Sequence, residues 1–210
     1  MSDFKPENYP IFSKADVGVV DRQTVFQGFF RIDQYKIRHA LFNGGQSEVF
    51  SRELFERGHA VVVLPYNPET DQLVLIEQFR VGALENPNGP WLLEAIAGMI
   101  ESGEAVERVA QREAHEEAGL VLNQFWPMLS YQSSPGGSTE RIYLLLARLE
   151  QLDVGGVFGL AQENEDIKVH LLQRSDAMLL LKTGKIDNAA TVIALQWLEL
   201  NLKQVIEKWS

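Results

Sequence analysis

The sequence predicts an α+β fold with a small strand-rich segment ahead of a larger mixed domain. Three observations lead there. Strand-like stretches outnumber helical ones and do not alternate with them strictly, unlike a doubly wound sheet. Residues 15–57 read as short β stretches, and the pattern changes at Gly58. Two continuous apolar runs then follow, Ala60–Leu64 and Leu73–Ile76, with the character of strands buried on both faces.

The elements are expected in this order. The first segment holds strands at Thr24–Ile32, Gln34–Phe42 and Ser47–Phe55, with Asn43-Gly44-Gly45 as a hairpin turn between the last two. Pro65–Asp71 supplies turn residues between the two apolar strands, the second of which runs Gln72–Glu77. Trp91–Ala97 reads as a strand, Val106–Ala118 as a helix, and Phe125–Tyr131, Arg141–Leu149 and Ile167–Leu172 as further strands. Helices at Ser175–Thr183 and Asp187–Trp209 close the chain, the last with Asp187 as N-cap and an apolar stripe through Ala190, Ile193, Ala194, Trp197, Leu198 and Val205. The domains are therefore expected at 1–57 and 58–210.

Composition excludes several functions. The 210 residues contain no cysteine, so there is no disulfide framework, no Cys-ligated zinc or iron–sulfur cluster and no thiol nucleophile. The net charge of −10 argues against a nucleic-acid-coating surface, which needs clustered Lys and Arg. No apolar run approaches ~18 residues and the N-terminus lacks a secretory pattern, so a cytoplasmic protein without a membrane span is expected.

The segment Gly98–Leu120 is the most informative. On a helical wheel Val106, Val109, Ala110, Ala114 and Ala118 form one apolar arc. Glu113 and Glu117 fall inside that arc and Glu116 lies at its edge. Salt bridging with Arg108 and Arg112 accounts for some of these acids, but not for three clustered glutamates facing inward, because an unpaired buried carboxylate is strongly unfavourable. Hard divalent cations take oxygen ligands, and Mg²⁺ is commonly held by one or two carboxylates together with substrate phosphates.

These residues resemble the Nudix box. Gly98, Glu104, Arg112, Glu113, Glu116, Glu117, Gly119 and Leu120 fill its fixed places, with Ala114 as a small aliphatic. The resemblance implies an α/β/α sandwich with a mixed sheet and a hydrolase acting on a nucleoside diphosphate linked to another moiety. It implies Glu113, Glu116 and Glu117 as metal ligands, joined by the Ala97 carbonyl and Glu165, for two or three Mg²⁺ ions with Mn²⁺ as a possible substitute. Glu113 and Glu117 thereby also count as catalytic.

Features outside the box narrow the substrate. Pro135, in Ser133–Glu140, lies 16 residues after Gly119, a spacing similar to that of the ADP-ribose pyrophosphatase subgroup. Alone, Pro135-Gly136 is ordinary turn chemistry. The acidic stretch Gln162–Asp166 resembles the loop that brings the base of such enzymes, which implies Glu163 in that role. Phe29 taken singly is a core aromatic, and Arg52 and Arg80 are surface or paired cations. The resemblance instead implies that Phe29 stacks on adenine, that Arg52 and Arg80 hold phosphate or ribose oxygens, and that Met99, Ser134, Gly136 and Glu140 also contact substrate. It further implies a homodimer whose N-terminal sheet is exchanged between subunits, with shared active sites.

The expected reaction is Mg²⁺-dependent hydrolysis of ADP-ribose to AMP and ribose 5-phosphate, with no nucleic acid or membrane as partner. The nearest alternative is another nucleotide sugar such as GDP-mannose. A non-catalytic ADP-ribose-binding regulator is remote, since the box is intact and no basic recognition helix precedes Gly58. The acidity is concentrated: residues 98–120 carry six acids against two arginines, and residues 162–167 carry three acids.

Overall fold

A computed structural model of the protein describes residues 9–150, 153–160, 162 and 164–209. The described chain divides into two compact units.

The first unit holds the described residues up to Arg57 together with Ser133–Glu140. Its strands β1 (Val17–Gln27), β2 (Arg31–His39) and β3 (Phe50–Glu56) form an antiparallel sheet in that order. The strand expected at Thr24–Ile32 is interrupted, because β1 turns at Gly28–Phe30 to pair back along β2, with Gln27 opposite Arg31. Beyond β2 the chain reverses at Leu41–Gly45, where Gly44 and Gly45 take φ of 87° and 79°, a region that favours glycine. Asp33 is buried on β2, opposite Thr24 of β1, and accepts hydrogen bonds from Arg22 Nη2 (2.6 Å) and Thr24 Oγ1 (2.7 Å). Those two bonds hold its carboxyl below the ordinary range. Ser133–Glu140, expected in the catalytic domain, groups with this unit instead: the Phe55 N–H donates to the Gly137 carbonyl at 2.8 Å and Phe55 bridges Ser138.

The second unit is a mixed sheet between helices. Its strands are β4 (His59–Asn67), β5 (Gln72–Phe79), β6 (Trp91–Glu94), β7 (Ile96–Ile100), β8 (Phe125–Gln132), β9 (Arg141–Arg148), β10 (Gly156–Phe158) and β11 (Ile167–Gln173). The order is β10-β11-β5-β4-β9-β8, with β6 on β5 and β7 on β4. The β4–β9 pair is parallel and the others antiparallel.

Alternation along β4 sends Val61 and Val63 to one face and Val62 and Leu64 to the other. Helix α1 (Val106–Ala118) covers the first face with Val109, Ala110, Ala114 and Ala118. Helices α2 (Arg174–Lys182) and α3 (Ala189–Trp209) cover the second with Ala177, Ala194, Leu195, Leu198, Val205 and Trp209. The result is an α/β/α sandwich. Each face buries a continuous apolar layer, the main stabilising term at ~25 cal/mol per Å² of apolar area.

Two further local expectations are corrected. Trp91–Ala97 is two strands, because the chain leaves β5 at Ala95 and crosses to β4; the freed Ala95 N–H donates to Thr191 Oγ1 at 2.8 Å. The N-cap of α3 is Asn188, whose side-chain oxygen accepts from the Thr191 N–H at 3.1 Å, while Asp187 accepts from Asn86. The short strand β10 was not expected. No helix among the described residues is long and apolar enough to cross a membrane.

Candidate active site

The site grows from the approach of β7 to α1. At Gly98 an added Cβ would lie 2.0 Å from Glu113 Oε1, so only glycine lets the strand and the carboxylate share this space. One residue earlier, the Ala97 N–H donates to Glu117 Oε2 at 3.2 Å. The N–H and C=O of one antiparallel strand residue point the same way, so the Ala97 carbonyl leaves the strand on the same side as the N–H that meets Glu117.

At its C-terminal end α1 stops at Gly119, which has φ of 65°. A Cβ there would lie 2.6 Å from the Phe158 ring, so Gly119 both ends the helix and seats β10 against it. The Gly159 N–H then donates to the Glu116 carbonyl at 3.3 Å, tying the start of the acidic loop to the helix. Within that loop the Leu160 N–H donates to the Glu165 carboxylate at 3.3 Å.

Burial grades the three box glutamates. Glu117 is only 4% exposed and its carboxyl is pushed up to about 8, chiefly by desolvation, with Glu113 and Glu165 adding repulsion against the Ala97 hydrogen bond and Arg80. Glu113 is pushed up to about 7, again chiefly by desolvation, despite Arg112. Glu116 is more open. Arg112 bridges Glu113 and Glu116 at 2.9 and 3.0 Å, and Glu104 accepts from the Glu101 N–H at 3.1 Å in the turn before the helix. Among the described residues no three acidic or histidine side chains are gathered closely enough to hold a cation as they stand; Arg112 draws two of these carboxylates to itself.

The donor set nonetheless fits a hard divalent cation. It is all oxygen, and two of its carboxylates are buried at a desolvation cost that a cation would offset.

Arg80, at the end of β5, donates from Nε to Glu94 at 2.8 Å and acts on Glu117 electrostatically. Glu94, the partner that holds Arg80, was not singled out by sequence; only the strand register brings it there. Met99 is 40% exposed on β7. Glu163 lies outside the described residues.

The remaining expected residues are in the first unit. Phe29 is 89% exposed at the tip of the β1–β2 turn, edge-on to Phe30 at 4.8 Å. A core aromatic is thus excluded for it. The Arg52 guanidinium lies over the Phe50 ring at 4.6 Å and donates to the Ser51 carbonyl at 2.8 Å. The Ser134 carbonyl accepts from the N–H groups of Gly137 and Ser138 in a tight turn, in which Gly136 has open space around it. Glu140 is buried and paired with Arg57 at 3.2 Å.

The sequence pattern of the NUDIX domain matches residues 56–195, a span containing α1 and its glutamates. The chain belongs to the NUDIX hydrolase family. It is 50% identical over 207 residues to an ADP-ribose pyrophosphatase of Escherichia coli strain K12, covering 98% of this chain and 99% of that protein. It is 46% identical over 201 residues to an ADP-ribose pyrophosphatase of Haemophilus influenzae, covering 94% and 93%. A GDP-mannose pyrophosphatase of Enterobacter sp. strain 638 is 34% identical over 152 residues, covering 71% and 78%. In fold the NUDIX chain is similar to a crystal structure of an ADP compounds hydrolase, with a TM-score of 0.69, 23% identity and coverage of 90% of this chain and 96% of the other.

Proposed function

We infer that this NUDIX protein hydrolyses the diphosphate of ADP-ribose to AMP and ribose 5-phosphate with Mg²⁺. One observation carries the substrate: likeness to ADP-ribose pyrophosphatases spans nearly the whole of both chains at 50% identity, whereas the likeness to a GDP-mannose pyrophosphatase is weaker and shorter. A Mg²⁺-dependent assay on both nucleotide sugars, with products identified, tests it. AMP released at low ADP-ribose concentration is expected; a decisive preference for GDP-mannose would overturn the substrate.

The residues assigned to the cations are Glu113, Glu116, Glu117, Glu165 and the Ala97 carbonyl, with Mn²⁺ as a substitute ion. When bound, two or three such ions supply neutralisation of the phosphate charge and Lewis-acid activation of water. Arg112 must give up Glu113 and Glu116 for this. Arg80 and Arg52 bind phosphate or ribose oxygens through guanidinium forks, and Phe29 offers its exposed ring to adenine. Met99, Ser134, Gly136 and Glu140 complete the substrate contacts. Glu163 takes the proton of the attacking water. Glu163→Gln is expected to lower kcat far more than it raises KM; an unchanged kcat removes Glu163 as base.

The domain division follows the same reading, with an N-terminal β domain at 1–57, to which Ser133–Glu140 adds, and a catalytic domain formed by the rest of 58–210. The protein works in the cytoplasm as a homodimer with an exchanged N-terminal sheet and active sites built from both copies. Support comes from β1, whose Val19, Val20, Val25 and Phe26 remain exposed in the single chain.

A further inference from the structure

We propose that Gln78 is a substrate-binding residue whose side-chain amide donates a hydrogen bond to an oxygen of the substrate's diphosphate; this rests on the diphosphate-hydrolase reading above. Gln78 is only 5% exposed, and its Nε2 has no hydrogen-bond partner. A buried amide donor without an acceptor is costly, and its neighbours do not supply one.

The strand register places it. On β5 Val74 and Ile76 face α1, and Gln78 continues that row. Across the β5–β6 pair Ile76 lies opposite Glu94 and Gln78 opposite Leu92. On the other side Lys168 lies opposite Glu77, which puts buried Ile167 beside Gln78. Both flanking side chains are apolar. The same face carries Arg80, bonded to Glu94, and the buried Glu117 on which Arg80 acts. Gln78 therefore breaks an apolar row at the point where the sheet enters the charged site.

The chemistry selects the ligand. Nε2 donates only, and diphosphate oxygens accept only. A neutral amide offers that bond without forming an ion pair with the surrounding glutamates, as a Lys or Arg at this position would. Arg80, two residues on, gives its Nε to Glu94, and the amide adds a second, neutral donor on the same face.

Gln78→Met keeps the length and shape of the side chain and removes the amide. Melting of the free variant is expected at the wild-type temperature or above, since an orphaned donor is lost. Its kcat/KM on ADP-ribose is expected to fall by about 10- to 100-fold, mainly through KM, as for a lost hydrogen bond to a charged acceptor. Affinity for a non-hydrolysable methylene analogue should fall equally, while Mg²⁺ binding without substrate is unchanged. Unchanged kcat/KM and analogue affinity would overturn the proposal. So would a fall in Tm of more than about 5 °C in both Gln78→Met and Gln78→Leu, because the amide would then be satisfied within the fold. Wild-type turnover is measured alongside: if ADP-ribose is not hydrolysed the functional reading fails by itself, and the Gln78 comparison is made on GDP-mannose.

Discussion

Gly98 and Glu113 occupy adjoining space so closely that a methyl group on the first would lie within 2.2 Å of three atoms of the second's carboxylate arm. Strand β7 can reach helix α1 only because position 98 has no side chain. Gly98→Ala must push Glu113 out of place or move the strand. The expected result is a stability loss of about 1–3 kcal/mol, typical of overpacking, and a kcat at least ~10-fold lower. Urea denaturation and steady-state kinetics on the same preparation would read both; wild-type values in each would mean Glu113 has room to turn at no cost.

Glu117→Gln separates chemistry from folding. The amide oxygen still accepts the Ala97 N–H, and the burden of a buried charge disappears. Hydrolysis is expected to fall about 100-fold or more, with Tm at pH 8 equal to wild type or higher. A variant that is both active and stable would remove Glu117 from the metal assignment.

The pH dependence of stability follows from the raised carboxyls. Glu117 shifts from 4.5 to about 8 and Glu113 from 4.5 to about 7, so between those values the folded state holds more protons than the unfolded one. Stability of the metal-free protein therefore declines through these groups as pH rises from about 4.5 towards 8. Mg²⁺ binds the ionised forms, so its stabilising effect should grow over the same window. Thermal melts at pH 5, 6.5 and 8, with and without Mg²⁺, would test this; a Mg²⁺ increment that is largest at pH 5 contradicts it.

Thr191→Val probes the break between β6 and β7. Valine preserves shape but leaves the buried Ala95 N–H without its 2.8 Å acceptor. A loss of about 1–3 kcal/mol in urea unfolding is expected. A neutral result would show that the strand break is held by packing alone.

Much of this was legible in the sequence. The bounds of α1, Val106–Ala118, and the inward setting of Glu113 and Glu117 follow from 3.6-residue periodicity, a local signal. What escaped was non-local. Side-chain pattern does not record a change of hydrogen-bonding partner, so the transfer at Ala95 from β5 to β4 looked like one strand. The run Thr24–Ile32 hid a reversal because Phe29 and Phe30 carry strand propensity in a turn. The pairing of Arg80 with Glu94, like the seating of Phe158 on Gly119, depends on tertiary register. Asp187 and Asn188 are both good caps, and Asn86 engages the first.

Strand β4 divides its residues between two layers that do different work. Val61 and Val63 support the face that bears the glutamates, while Val62 and Leu64 support the face under α3. Neighbours in sequence thus answer to different layers: a cavity at Val61 or Val63 opens beneath α1, and one at Val62 or Leu64 opens beneath α2 and α3. One strand thereby joins the helix that bears the glutamates to the helices on the opposite face, and a truncation on either side of it reports on its own layer.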